Sequence, residues 1–243
     1  MMSVSSTLQL KKAILVTIDG PAGAGKTTVS KLLAEQLDYR YLDTGALYRA
    51  VAFGIMQSRI YTDDDMAVDI FLKKSRLTLS PATKGFRLVW NDQDITDHLR
   101  TPEISMMASA VSAKPAVRNF LIDVQRKIGQ DKSLVCEGRD MGTIVFPDAD
   151  IKFFLDANPE IRALRRYREL TLCTSSITLD DVSKDMLERD RNDRQRAIAP
   201  LIPAPDAIII DASGMGIPAV INHMTTTIVS RFGSTGAKKT HQH

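Results

Sequence analysis

The 243-residue chain has only two cysteines, Cys136 and Cys173, far apart in sequence, so it lacks both the clustered spacing of a metal cage and the density of a secreted disulfide framework. Both read as free thiols in a reducing compartment, which makes the cytoplasm the expected location. Long apolar runs are missing too. No stretch approaches the ~18 consecutive apolar residues of a membrane span, and the run at residues 13–18 is cut short by Asp19 before it could serve as a signal-peptide core. The leader, residues 1–12, contains serines and no acidic residue, which leaves a frayed terminus and an organelle transit segment as its two readings. Charge of one sign is scarce: 32 basic residues against 29 acidic ones leave a formal +3. That bias is too weak for nucleic-acid wrapping or attachment to a membrane surface, so neither partner is expected. Basic groups must instead act by local clustering around a small anion. No internal repeat and no long exposed apolar stripe is evident, and a monomer is expected.

What is present is an ordinary globular composition, 44% hydrophobic and 25% charged, enough to bury a core. Short apolar runs at residues 14–18, 39–42, 134–136, 151–155 and 207–210 are each followed by helix-like sequence, and residues 26–37 read as an amphipathic helix. Five buried strands separated by helices predict an α/β fold, a five-stranded parallel sheet with helices on both faces, because parallel strands need crossover connections. Residues 61–130 break this pattern. Leu77-Thr78-Leu79, a turn-rich stretch at residues 80–85, and residues 86–90 predict a β-hairpin. Two helices follow, over residues 102–112 and 115–128, each with Pro in its first turn. The core thus comprises residues 11–60 and 131–232, interrupted by an inserted α+β subdomain at residues 61–130. Residues 159–170 predict a strongly basic helix, and a second charged helix runs from Leu179 towards Pro200. The tail, residues 233–243, has no apolar periodicity and is expected to be disordered.

Gly20-Pro21-Ala22-Gly23-Ala24-Gly25-Lys26-Thr27 satisfies G-x-x-x-x-G-K-[ST] between a predicted strand and a predicted helix, the context that motif requires. The glycines let successive backbone N–H groups converge on a phosphate, and the following helix, continuing with Thr28, presents its positive end there. Lys26 would reach the β- and γ-phosphates, and Thr27 would be the Mg²⁺ ligand. This is an ATP cradle with Mg²⁺ as cofactor. It says nothing about the acceptor, because switches, motors and small-molecule kinases share it.

Three other clusters bear on the acceptor. Thr44, directly after the second strand, falls at a helix start where its hydroxyl can cap or contact a ligand, and Arg49 lies a turn further on. An N-cap with a surface arginine is the competing reading. Arg139 and Asp140 follow the strand ending in Glu137, between Gly138 and Gly142. Arg139 can fork onto a phosphate and Asp140 can accept from an exocyclic amine, though a solvated turn has the same signature. Arg189, Asp193 and Arg196 share one helical face at i, i+4 and i+7. They either serve a transferring phosphoryl group or belong to a solvated helix in which Asp190 pairs with Arg194. The basic helix with Arg162, Arg165, Arg166 and Arg168 is equally ambiguous.

Over about residues 13–232 the chain resembles the bacterial type of cytidylate kinase. The resemblance is carried by Asp19-Gly20-Pro21-Ala22-Gly23-Ala24-Gly25-Lys26, Leu42-Asp43-Thr44-Gly45-Ala46-Leu47-Tyr48-Arg49, Gly138-Arg139-Asp140-Met141-Gly142-Thr143 with Phe146-Pro147-Asp148-Ala149, and Arg196-Ala197-Ile198-Ala199-Pro200-Leu201. Asp94-Ile95-Thr96, Leu99-Arg100-Thr101-Pro102-Glu103, Ser109 and Arg118 are similar to that family's enlarged monophosphate-binding region. The resemblance implies a P-loop nucleoside triphosphatase fold with a short lid at about residues 166–177, and transfer of the γ-phosphoryl group of ATP to CMP or dCMP. It further implies that Thr44, Arg118 and Asp140 read cytosine, with Ser109 and Asp193 near the ribose. Arg49 and Arg139 would hold the acceptor phosphate, while Lys26, Arg189 and Arg196, with Arg139, act on the phosphoryl group in flight. Glu137, which ends the strand beside the cradle, is either a partner for Mg²⁺ at one remove or a plain strand-end carboxylate. A preference for CMP over UMP is expected. A P-loop kinase for UMP or another small metabolite, and a nucleotide-binding regulator without turnover, are the alternatives.

Overall fold

The computed structural model describes residues 10–82, 85–171 and 177–233. Its frame is a parallel sheet of β1 (Leu15–Asp19), β2 (Arg40–Asp43), β6 (Leu134–Gly138), β7 (Ile151–Asp156) and β8 (Ile208–Asp211), in the order β2-β6-β1-β7-β8. Each of the five expected apolar runs supplies one of these strands. The two-residue period of a strand sends alternate side chains to opposite faces. In β6, Leu134 and Cys136 join one core and Val135 the other. α1 (Lys26–Leu37) and α8 (Ile217–Phe232) cover the second face through Val29, Leu33, Val220 and Met224. α2 (Thr44–Gln57) and α5 (Pro115–Gly129) cover the first through Leu47, Val51, Val117 and Leu121.

Between these lie α3 (Asp65–Lys74), the antiparallel strands β3 (Leu77–Ala82), β4 (Gly85–Trp90) and β5 (Gln93–Asp94), and α4 (Pro102–Val111). The predicted hairpin is β3 and β4, paired from Leu77↔Trp90 to Ala82↔Gly85. The two proline-led helices are α4 and α5. α3 escaped the sequence reading because only Val68 and Leu72 are buried on it. Side chains of this region, including Leu77, Leu88, Trp90 and Ile104, share one continuous core with Leu42 and Leu134 of the parallel sheet. The insert therefore packs onto the α2 face rather than around a core of its own.

α6 (Pro159–Thr171) and α7 (Leu179–Gln195) pack on each other through Ala163, Val182 and Met186. A capping box between Thr178 and Asp181 starts α7. This helix ends at Gln195, short of the expected reach, and Arg196 is its C-cap in extended conformation. Arg196 is thus not on the helical face with Arg189 and Asp193. Pro200 and the left-handed Ala199 (φ 52°) divert the chain into a loop instead. Cys173 and residues 172–176 lie outside the described residues, as does all of the expected disordered tail beyond Gly233. No described helix is long and apolar enough to cross a membrane.

Gly20 joins the central strand to the first loop at φ 147°, and a Cβ there would sit 2.0 Å from the Leu155 carbonyl oxygen. That backbone oxygen cannot retreat without disturbing β7. Gly20→Ala should therefore cost about 3 kcal/mol of stability, read as a drop in Tm by circular dichroism. An unchanged Tm would show that the strand junction tolerates a side chain.

Candidate active site

Gly20 to Gly25 form the loop between β1 and α1. Gly25 is the N-cap of α1 in the left-handed conformation (φ 95°), and no side chain caps the helix. The first N–H groups of α1 thus have no side-chain acceptor at the cradle, the arrangement that suits an anion. Lys26 is buried and donates from Nζ to the Pro21 carbonyl at 2.7 Å. Burial, followed by the nearby charge of Arg139, pushes its pKa down. Two cations at this mouth therefore repel one another, which a bound polyphosphate would relieve.

The Thr27 hydroxyl donates to Glu137 Oε2 at 3.2 Å, and Tyr41 donates to Glu137 Oε1. Burial raises the Glu137 pKa, with Asp43 adding to the effect and Lys26 opposing it. A hydroxyl and a carboxylate thus lie side by side next to the cradle, an all-oxygen donor set that fits a hard divalent cation. No group of three or more His, Cys, Asp or Glu side chains placed to hold a metal ion occurs among the described residues.

The second wall comes from β6 and the residues after it. Thr44 is the first residue of α2, but Asp43 is its cap, accepting from Ala46 N at 3.1 Å. The Thr44 hydroxyl instead donates to the Glu137 carbonyl at 2.7 Å, which ties α2 to the rim. Beyond Gly138, a π-helical turn over Met141–Val145 is held by Asp19, whose two carboxylate oxygens accept from Met141 N (2.8 Å) and Gly142 N (2.7 Å). Burial raises the Asp19 pKa to about 6 against the pull of those two hydrogen bonds. Asp19 thereby joins the end of the cradle's own strand to the backbone that presents Arg139 and Asp140. Its role was invisible in the sequence, because it depends on two amides more than 120 residues away.

Asp140 is buried and accepts from Arg118, itself only 2% exposed. Arg118 also donates to the Ser112 carbonyl at 3.2 Å and lies over the Tyr48 ring. The other oxygen, Asp140 Oδ1, faces Arg196 Nη2 at 4.0 Å. Burial raises the Asp140 pKa, with Arg118 and then Arg196 and Arg139 opposing. Asp193 bridges Arg139 (2.9 Å) and Arg196 (3.6 Å). Arg196 donates from Nε to the Ala199 carbonyl, so the strained loop after α7 aims its guanidinium into the site. Buried nitrogens without a hydrogen-bond partner include Arg49 Nε, Arg118 Nε and Arg196 Nη2. Such donors are costly unless a ligand completes them.

The remaining expected residues are less engaged. Arg189 is exposed and makes no ion pair among the described residues. Partial desolvation by its neighbours, then the charges of Arg139 and Arg166, nevertheless lowers its pKa. Arg49 pairs with Asp43 at 2.8 Å and, with Arg100, lines a cavity of about 180 Å³ between β2 and the antiparallel sheet. Ser109 is exposed on α4, with its carbonyl accepting from the Ser112 hydroxyl. The expected Asp190–Arg194 pair does not form. Asp190 pairs with Arg162 at 2.7 Å and Arg194 reaches Asp156 at 3.5 Å, because Asp190 faces α6 while Arg194 faces β7.

A phosphate cradle on the central strand of a five-stranded parallel sheet, facing an arginine-lined rim on the neighbouring strand, defines a P-loop kinase. The chain belongs to the cytidylate kinase family, whose model matches residues 16–230. The cytidylate kinase of Oleidesulfovibrio alaskensis is 44% identical over 207 residues, covering 85% of this chain and 94% of its own length. That of Carboxydothermus hydrogenoformans is 41% identical over 206 residues, covering 85% and 93%. Among solved structures, shikimate kinase from Acinetobacter baumannii in complex with shikimate aligns over 91% of this chain and 96% of its own, at 16% identity and a TM-score of 0.44. Family membership makes the chain a nucleoside monophosphate kinase.

Proposed function

We propose that the chain transfers the γ-phosphoryl group of ATP to CMP or dCMP, giving ADP and CDP or dCDP. The observation that carries this reading is the buried Arg118–Asp140 pair, set on the same rim as Arg139, Asp193 and Arg196. Arg118 occupies Asp140 Oδ2 and leaves Oδ1 able to accept from the cytosine amino group. Uracil would set a carbonyl against that oxygen, leaving a buried polar group unpaired, so CMP is preferred over UMP. Thr44 completes the base site, and Ser109 and Asp193 serve the ribose. Arg49 and Arg139 hold the acceptor phosphate.

At neutral pH that phosphate is already an oxyanion, so no protein base is required. Its oxygen bonds to the γ-phosphorus in line with the breaking bond to the β,γ-bridging oxygen, and ADP leaves with the electron pair. Lys26, Arg139, Arg189 and Arg196 stabilise charge spread over the phosphoryl oxygens. The cradle, Gly20, Pro21, Ala22, Gly23, Ala24, Gly25, Lys26, Thr27 and Thr28, holds ATP by backbone N–H groups. Thr27, with Glu137 behind it, would hold Mg²⁺, which when bound neutralises phosphate charge.

The same reading divides the chain into a kinase core, a monophosphate-binding insert at residues 61–130 and a lid at about residues 166–177, of which 166–171 end α6 and 172–176 lie outside the described residues. It includes a monomer, and a cytoplasmic location consistent with the buried free thiol of Cys136. Purified protein with ATP and Mg²⁺, offered CMP, dCMP, UMP, AMP and shikimate in turn, tests the proposal through ADP release. CMP and dCMP should be the best acceptors. Release without acceptor preference would overturn the assignment, and a best rate with UMP or shikimate would transfer it to that acceptor.

A further inference from the structure

We propose that Arg162, paired with Asp190, is a positioning residue that holds the phosphate cradle in its anion-binding shape and registers it against α7. The proposal rests on the kinase reading above.

A loop that turns its N–H groups inward onto a phosphate turns carbonyls outward, where they need donors. Arg162 supplies one. Its side chain is 3% exposed, and its guanidinium donates to the Ala22 carbonyl in the middle of the cradle at 3.1 Å. The same group donates to the Ala157 carbonyl at 2.8 Å, pairs with Asp190 Oδ2 at 2.7 Å, and lies 3.8 Å from Asp156 Oδ1. One planar fork therefore joins three elements: the end of β7, the cradle and α7. Arg165, one turn later, continues the pattern with the Ala212 carbonyl at 2.8 Å and the Ala24 carbonyl at 3.5 Å.

The far end of this link is functional rather than incidental. Asp190 follows Arg189 directly and precedes Asp193 by three residues, less than one turn of α7, so whatever fixes Asp190 constrains both. Asp190 Oδ1 is buried without a hydrogen-bond partner, and Arg162 makes the ion pair that satisfies the other oxygen. A pair this incompletely satisfied is a poor device for stability, since buried ion pairs often break even against apolar replacements. Its geometric reach across three elements is what an apolar pair could not supply. Lysine could not supply it either, because a point charge cannot fork to several acceptors.

The test uses Arg162→Lys and Asp190→Asn in the full chain. ATP binding is measured by calorimetry without acceptor, and kcat and KM for CMP are measured at saturating ATP, alongside Tm. Arg162→Lys should weaken ATP binding about tenfold and lower kcat about tenfold, with KM for CMP within about twofold. Asp190→Asn, which keeps the side-chain shape and an acceptor oxygen but loses the charge of the ion pair, should give a smaller loss with the same split. The double variant should be no worse than Arg162→Lys, as expected of residues acting as a unit. A lowered Tm with ATP affinity and KM unchanged per folded molecule would mean a structural role only and would overturn the proposal. So would wild-type kinetics in both variants. Should Arg162→Lys fail to fold, Asp190→Asn decides by the same criteria. ATP affinity is read without CMP, so a wild-type protein that binds ATP but does not phosphorylate CMP would refute the acceptor assignment and leave this proposal standing on the binding data.

Discussion

Lys26→Met is expected to lower kcat with CMP by about 10³-fold or more while the protein stays folded. Methionine matches the lysine stem in length and volume but removes the charge assigned to the γ-phosphate. The charge is not there for stability. Lys26 is buried, burial and Arg139 both disfavour its protonated form, and its hydrogen bond is to the Pro21 carbonyl. Removing a cation that the free protein holds at a cost offsets the lost hydrogen bond to the Pro21 carbonyl, so Tm should change little. Kinetics and thermal denaturation of the same preparation therefore separate the two roles. Loss of turnover with an intact transition assigns Lys26 to the phosphoryl group. Near-wild-type turnover would show that the γ-phosphate sits elsewhere.

The second large effect concerns the base. Asp140→Asn should lower the ratio of kcat/KM for CMP over UMP by about 10²-fold. A carboxamide can still accept from one neighbour, but it can also turn an N–H towards the uracil carbonyl, so the gain for UMP adds to the loss for CMP. The structure shows why Asp140→Ala is the poorer experiment. Asp140 and Arg118 are both buried and paired, and removing only the carboxylate strands a guanidinium at a cost of about 3–5 kcal/mol. A general loss of folded protein would then obscure the specificity change. An unaltered CMP/UMP ratio in Asp140→Asn would move base recognition to Thr44 and Arg118.

The parts of this architecture legible in the sequence are those set by local chemistry. Strands β1, β6 and β7 are short apolar runs with both faces buried, and α1 follows a complete phosphate-binding motif, so each announces itself within a few residues. The proline-led α4 and α5 were equally plain. α3 was not, because two buried side chains do not make a readable stripe. Nor was the end of α7: the run of alternating charge continues through Arg196, and only the loop around Ala199 shows that this arginine has left the helix.

The site divides in the same way. Gly20 to Thr27 are contiguous and could be read directly, whereas the acceptor rim is assembled from α2, α5, β6 and α7. Arg118 and Asp140 carry no sequence sign that they meet; family resemblance assigns both to the base, and their ion pair is visible only in the fold. Asp19 and Arg162 lay beyond sequence reasoning for a further reason. Both act through backbone groups, the amides of Met141 and Gly142 and the carbonyl of Ala22, and a backbone partner leaves no trace in residue identity.

The most direct measurement follows the phosphoryl group itself. With ATP labelled at the γ-phosphorus, Mg²⁺, and CMP and UMP together at equal limiting concentration, the labelled products are separated and counted at early times. The label should appear in CDP in large excess over UDP, with little as inorganic phosphate. Label found chiefly as inorganic phosphate, or divided evenly between CDP and UDP, would contradict the assignment of this site to phosphoryl transfer onto a cytosine nucleotide.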